Sequence, residues 1–117
     1  VAGKEGFWRV GYGNEAGGGW AVIVLDTGVV VGADSWGGMW DGVYEFDPRT
    51  NEIDMELSVV FPPQVFSAVT GQASVRGHKE TYSFALPNDF GREIPFEVTI
   101  QGRPLAVRFQ KIRDFPQ

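Results

Sequence analysis

The chain contains no cysteine and a single histidine, His78. Without cysteine there is no disulfide framework, no thiol nucleophile and no thiolate metal site. One imidazole excludes a His-rich metal centre and leaves only one base for a Ser-His-Asp arrangement. His78 follows Gly77 in a turn-forming dipeptide, so it reads as a solvated turn residue. Basic residues are also scarce: ten Lys and Arg stand against fifteen Asp and Glu, for a net charge of -5. That is the wrong sign for a phosphate backbone or an anionic lipid surface. Long apolar runs are missing as well. The longest, 20–25 and 29–31, fall far short of the roughly 20 residues a spanning helix needs. Residues 1–6 lack the apolar stretch of a signal peptide. These absences lead us to expect no nucleic-acid partner, no membrane, no cofactor, no metal, and a cytoplasmic setting.

What the chain does have is alternation. Ile53, Met55, Leu57, Val59 and Phe61 interleave with Glu52, Asp54, Glu56 and Ser58. The same period of two recurs in Tyr82, Phe84 and Leu86, and again in Ile94, Phe96, Val98 and Ile100. Successive strand side chains point to opposite faces, so each segment has one dry face and one wet face. Strands are expected over about 7–12, 19–25, 29–34, 40–46, 53–61, 72–76, 81–86, 93–101 and 105–112, from the alternation rule. Asp26-Thr27-Gly28, the stretch 47–51, Gly77-His78 and Gly102-Arg103-Pro104 have hairpin composition, and Gly17-Gly18-Gly19 reads as a further turn. Residues 62–70 carry either a short helix or a crossing loop. At 117 residues this is one domain, covering 1–117, and a meander of this kind removes its bare edges by closing. The expected fold is all-β: a single antiparallel up-and-down, lipocalin-like barrel of about eight strands, with a flattened sandwich as its rival.

Catalytic chemistry does not assemble from these residues. Gly11, Gly13, Gly17, Gly18 and Gly19 are followed by Trp20-Ala21-Val22-Ile23-Val24, a strand, whereas a phosphate loop must open a helix. Glu52, Asp54 and Glu56 share one strand face, but it is the wet one, turned to solvent and away from the apolar side. No catalytic residue is assigned, and the chain is expected not to be an enzyme.

Three sets of residues are candidates for binding. Asp41, Glu45 and Asp47, with Glu52, Asp54 and Glu56 across the turn, place up to six carboxylates on one face of a hairpin, suited to a protein partner with a basic surface. Trp8, Tyr12, Trp20, Trp40, Tyr44, Phe84, Phe96 and Phe109 are expected to face the interior, where an eight-stranded barrel either packs solid or holds one small apolar ligand. The stretches 21–25 and 29–31 are apolar on both faces, so Ile23, Leu25 and Val30 are expected outside, buried in a homodimer interface.

The order of the motifs adds a resemblance. Lys4-Glu5-Gly6-Phe7-Trp8, Gly17-Gly18-Gly19, Asp26-Thr27-Gly28, Val31-Gly32-Ala33-Asp34 and Trp40-Asp41-Gly42-Val43-Tyr44 follow one another in a series that resembles the GrlR-like family. These are small bacterial lipocalin-type barrels whose namesake represses type III secretion by sequestering a transcriptional activator. The resemblance covers roughly residues 4–60 best. It implies a dimer, an apolar barrel interior, and a regulator that reaches its partner through the acidic hairpin. Here Pro48 and Arg49 interrupt the acidic run that the family uses. Gly6-Phe7-Trp8 also looks like the Gly-x-Trp opening of lipocalins, which implies a late arginine, Arg108 or Arg113, over the Trp8 indole. The leading expectation is thus a non-enzymatic regulatory module, with a carrier of a small apolar ligand as the alternative.

Overall fold

A computed structural model describes residues 4–14 and 17–116. Eight antiparallel strands run β1 (Gly6–Asn14), β2 (Gly17–Asp26), β3 (Val29–Asp34), β4 (Met39–Asp47), β5 (Glu52–Phe61), β6 (His78–Pro87), β7 (Phe96–Ile100) and β8 (Arg103–Asp114). They form one sheet in the order β6-β5-β4-β3-β2-β1-β8-β7. Every neighbour is sequential apart from the β1–β8 pair, which rolls the meander into a barrel. The two edges, β6 and β7, approach each other without a ladder among the described residues, so closure is nearly complete.

Turn chemistry sets the joints. Thr27 and Gly28 both have positive φ (49° and 83°), as do Gln101 and Gly102 (53° and 75°). Such pairs suit two-residue hairpins because their twist matches that of the flanking strands. The second turn therefore falls one residue earlier than expected, and Arg103 and Pro104 lie within β8. Inside the sheet, Gly32 marks a close approach: a Cβ there would sit 2.7 Å from the Ile23 side chain. Glycine lets β3 press against β2 where the sheet curves.

Two expected strands change. Residues 72–76 are not a strand but part of a sixteen-residue connection, 62–77, between β5 and β6. That segment folds back on its own loop, with the Gln64 amide donating to the Ser74 carbonyl (2.7 Å) and the Ser67 amide to that of Gln72 (2.9 Å). The strand expected over 93–101 shortens to Phe96–Ile100, preceded by a 3₁₀ turn at Phe90–Arg92.

The inside of the barrel follows a single phase. Trp8, Val10, Ala21, Ile23, Leu25, Val30, Ile53, Met55, Leu57, Val59, Tyr82, Leu86, Val98, Val107 and Phe109 are all buried. Trp20, by contrast, is 46 % exposed. It lies outside, because Ala21, Ile23 and Leu25 take the inward positions of β2, and the Arg9 guanidinium covers its ring at 5.4 Å. Ile23, Leu25 and Val30 are 2 %, 1 % and 1 % exposed, so the expectation of an interface through them is corrected. The outward apolar residues of the same strands are Val22, Val29 and Val31, with Val43 beside them on β4.

Candidate functional site

The barrel is hollow. A cavity of about 530 Å³ opens within it, inside the roughly 300–1,000 Å³ range of small-molecule sites. Its wall is the dry face of the alternating strands, including Val10, Ile23, Val30, Leu57, Val59 and Val107. Of the aromatic residues expected to face inward, Tyr12, Trp40, Phe84 and Phe109 line this cavity. Trp8 and Tyr44 are buried but do not line it, and Phe96 is half-buried, stacked on Phe109 at 6.0 Å. Trp20 belongs to the outer surface, as described above.

One end is sealed by aromatic packing. Trp8 lies 5.0 Å from Phe90 and 6.3 Å from Phe109 between ring centroids, and Phe90 meets Phe109 edge-on at 4.9 Å. The Trp8 Nε1 donates to the Lys4 carbonyl at 2.9 Å, so its one polar group is satisfied. Gly91 fits against the indole, where a Cβ would come within 2.7 Å of the ring. The cation over Trp8 is Lys111, at 5.6 Å, rather than an arginine. Arg113 stacks over Phe7 and Arg108 donates to the Glu93 carbonyl. The swap follows from a register shift between Phe7 and Trp8, which sets Lys111 opposite Trp8.

The other end carries the polar groups and the long connection 62–77. Residues Gln64 to Val69 form part of the cavity lining. The connection crosses the mouth and is tied on the far side, where Asn14 Nδ2 donates to the Ala68 carbonyl (2.6 Å) and an Arg103 guanidinium nitrogen to that of Val69 (2.9 Å). On the near side it is held by one carboxylate. Glu80 accepts from Ser67 Oγ (2.6 Å), Thr70 Oγ1 (2.5 Å) and the Tyr82 hydroxyl (2.5 Å), and His78 Nε2 lies 2.9 Å away. Burial acts to raise the Glu80 carboxyl, but these four bonds outweigh it and hold the group below the ordinary glutamate range. Ser67 Oγ in turn accepts from the Val69 and Thr70 amides at 3.1 Å. His78 is therefore no solvated turn residue: it opens β6, stacks on Phe61 at 4.7 Å, and buries its Nδ1.

Beside this latch, Asp34 ends β3 with its carboxylate at the cavity. Oδ1 accepts from the Trp36 and Gly38 amides (2.9 and 2.8 Å), and Oδ2 accepts from Trp40 Nε1 (2.8 Å). The Tyr12 phenol is pushed above its usual range by burial and by the Asp34 carboxylate near it.

The acidic hairpin is outside the barrel. Asp41, Glu45, Asp54 and Glu56 are exposed and Asp47 and Glu52 half-buried, all on the outward phase of β4 and β5. Glu45 stands directly opposite Asp54, and Asp47 opposite Glu52. Arg49 pairs with Asp47 at 3.3 Å across the turn. Among the described residues no group of three or more acidic or His side chains is placed to hold a metal, and no helix is long and apolar enough to cross a membrane.

Comparison with protein-family models and with curated proteins returned no match to this chain. The site therefore rests on its own geometry. Sequence reasoning missed Asp34, Trp36, Ser67 and Glu80 as members of the mouth. The Asp34-Ser35-Trp36-Gly37-Gly38 turn composition was a usable sign for the first two.

Proposed function

We propose that this protein is a non-enzymatic binding module that holds a small apolar ligand inside its barrel. The observation that carries this reading is the cavity of about 530 Å³, walled by aliphatic and aromatic side chains, sealed at the Trp8 end and crossed at the mouth by a latched loop. A barrel of this size that needed only a core would fill its interior with side chains. Apolar surface left facing a void forfeits dispersion contacts that a ligand restores. Among the two expectations drawn from the sequence, the carrier thus moves ahead of the regulator. The lack of cysteine fits a reducing compartment, so a cytoplasmic setting belongs to the same reading.

The test is a titration with N-phenylnaphthylamine, a neutral apolar fluorophore. Wild-type protein should give saturable enhancement with one site per chain. Val59→Trp, which adds an indole to the wall, should stay folded by circular dichroism and lose most of the signal. Equal enhancement in a folded Val59→Trp variant, or none in wild type, overturns the reading.

A second reading has its own support. The like charges of Glu45 and Asp54, and of Asp47 and Glu52, face each other on neighbouring strands, an arrangement that costs stability and suits capture of a basic protein partner. This is what the resemblance to the GrlR-like family implies. Glu52→Lys with Asp54→Lys should leave the fold intact and abolish partner capture from a cell extract. A double variant that retains every partner of the wild type reduces this face to a solvated surface.

A further inference from the structure

The cavity is apolar along its length and polar only at the mouth, where Arg103 binds the Val69 carbonyl from the rim but no basic side chain enters the lining. Asp34 is the only charged side chain in the lining, which includes no Lys, Arg or His among the described residues. The groups that satisfy it are two amides and an indole N–H, dipoles that carry no countercharge. None of the ion pairs among the described residues involves Asp34. The second carboxylate of this end, Glu80, lies directly behind the lining residues Ser67 and Tyr82.

Aromatic rings surround the same charge. The Tyr12 and Trp40 rings lie 5.6 Å apart, inclined by 47°. Trp36 completes the rim, 60 % exposed and fixed by its Nε1 donating to the Gly18 carbonyl at 3.0 Å. Ring faces and a carboxylate attract an organic cation, most strongly where water is partly excluded. An anionic headgroup at this position meets Asp34 with no basic side chain in the lining to offset the repulsion.

We infer that the barrel selects a ligand with an apolar body and a cationic end, an alkylamine or alkylammonium, whose positive group sits at Asp34, Tyr12, Trp36 and Trp40. The inference rests on the ligand-binding reading above and adds the headgroup to it. A fatty acid of the same length is the excluded class.

Three probes that share one alkyl chain separate the terms: dodecyltrimethylammonium, dodecanol and dodecanoate. They are titrated by calorimetry below their micelle thresholds, in raised salt so that the overall charge of -5 contributes little. The ammonium should bind at least about tenfold more tightly than the carboxylate, a difference of about 1.4 kcal/mol, with the alcohol between them. Trp36→Ala should weaken the ammonium by a larger factor than dodecanol and so lose most of this preference. Asp34→Asn should do the same, and where it fails to fold, Trp36→Ala decides. Dodecanoate binding as tightly as the ammonium overturns the headgroup inference and leaves the carrier intact. Full preference retained in Trp36→Ala and in folded Asp34→Asn also overturns it. Failure of all three probes to bind overturns the carrier reading itself.

Discussion

Removing the Glu80 carboxylate should release the loop that crosses the barrel mouth. Its side chain is only 9 % exposed and takes bonds from Ser67, Thr70, Tyr82 and His78. A hydrogen bond to a charged group contributes about 1.5–3 kcal/mol, but bonds sharing one acceptor do not add, and the burial cost of the carboxylate offsets part of the sum. Glu80→Ala leaves the buried hydroxyls of Ser67 and Tyr82 with each other at 3.2 Å but without the carboxylate, and the half-buried Thr70 hydroxyl and the His78 imidazole without their acceptor, for a loss of about 3 kcal/mol. At roughly 4 °C per kcal/mol for a chain of this size, the thermal midpoint falls by about 12 °C if the loop unfolds with the barrel. If the loop opens alone, the loss appears instead as faster hydrogen exchange at the Val69 and Thr70 amides, which donate to Ser67 Oγ. Glu80→Gln keeps the shape and should cost about half as much, since an amide oxygen still accepts. Because the folded carboxyl titrates below its ordinary value, its stabilisation is fully present above the unfolded glutamate pKa of about 4.3 and is lost as pH falls through the lower folded value. The advantage of wild type over Glu80→Gln should therefore hold at neutral pH and shrink only in acid. Unchanged midpoint and unchanged exchange at Val69 and Thr70 in Glu80→Ala would refute the latch.

Two further predictions concern the closed end and the outer wall. Trp8→Ala should cost about 3–5 kcal/mol, because the indole is 3 % exposed between Phe90 and Phe109; an unaltered urea midpoint contradicts the seal. The outward valines of β2 to β4, with Val29, Val31 and Val43 46 %, 49 % and 53 % exposed, are the self-association surface we propose in place of Ile23, Leu25 and Val30. Val31→Lys should then give a monomer by sedimentation at a stability within about 0.5 kcal/mol of wild type; a wild type that is itself monomeric at tens of micromolar removes the dimer.

The strands were legible wherever polar and apolar residues alternate. β5 carries Ile53, Met55, Leu57 and Val59 inward and Asp54 and Glu56 outward, as its sequence reads. In β2 the run Trp20-Ala21-Val22-Ile23-Val24-Leu25 offers no such contrast, so its phase depends on the hairpin before it. Taking Gly17-Gly18-Gly19 as that turn gives even-numbered residues the inside of both strands and draws Trp20 in. The observed pairing of Asn14 with Gly17 sets Trp8 opposite Ile23 and reverses every side chain of β2, as a change in register by an odd number of residues must. The mouth was harder to read for a different reason. Ser67 and Glu80 are thirteen residues apart, and their meeting is fixed by a long connection whose path no local periodicity specifies. The hollow interior was not legible either, since aromatic inward residues describe a filled barrel as well as an open one.

Entry of an apolar molecule into the barrel is read most directly by methyl-resolved NMR of the protein with dodecanol. Interior methyl groups of Val10, Val30, Leu57 and Val107 should shift together, saturating with one ligand per chain, while those of Val22, Val29, Val31 and Val43 on the outer wall stay in place. Shifts confined to the outer valines, with the interior methyl groups unmoved, would put the ligand outside the barrel and overturn the carrier.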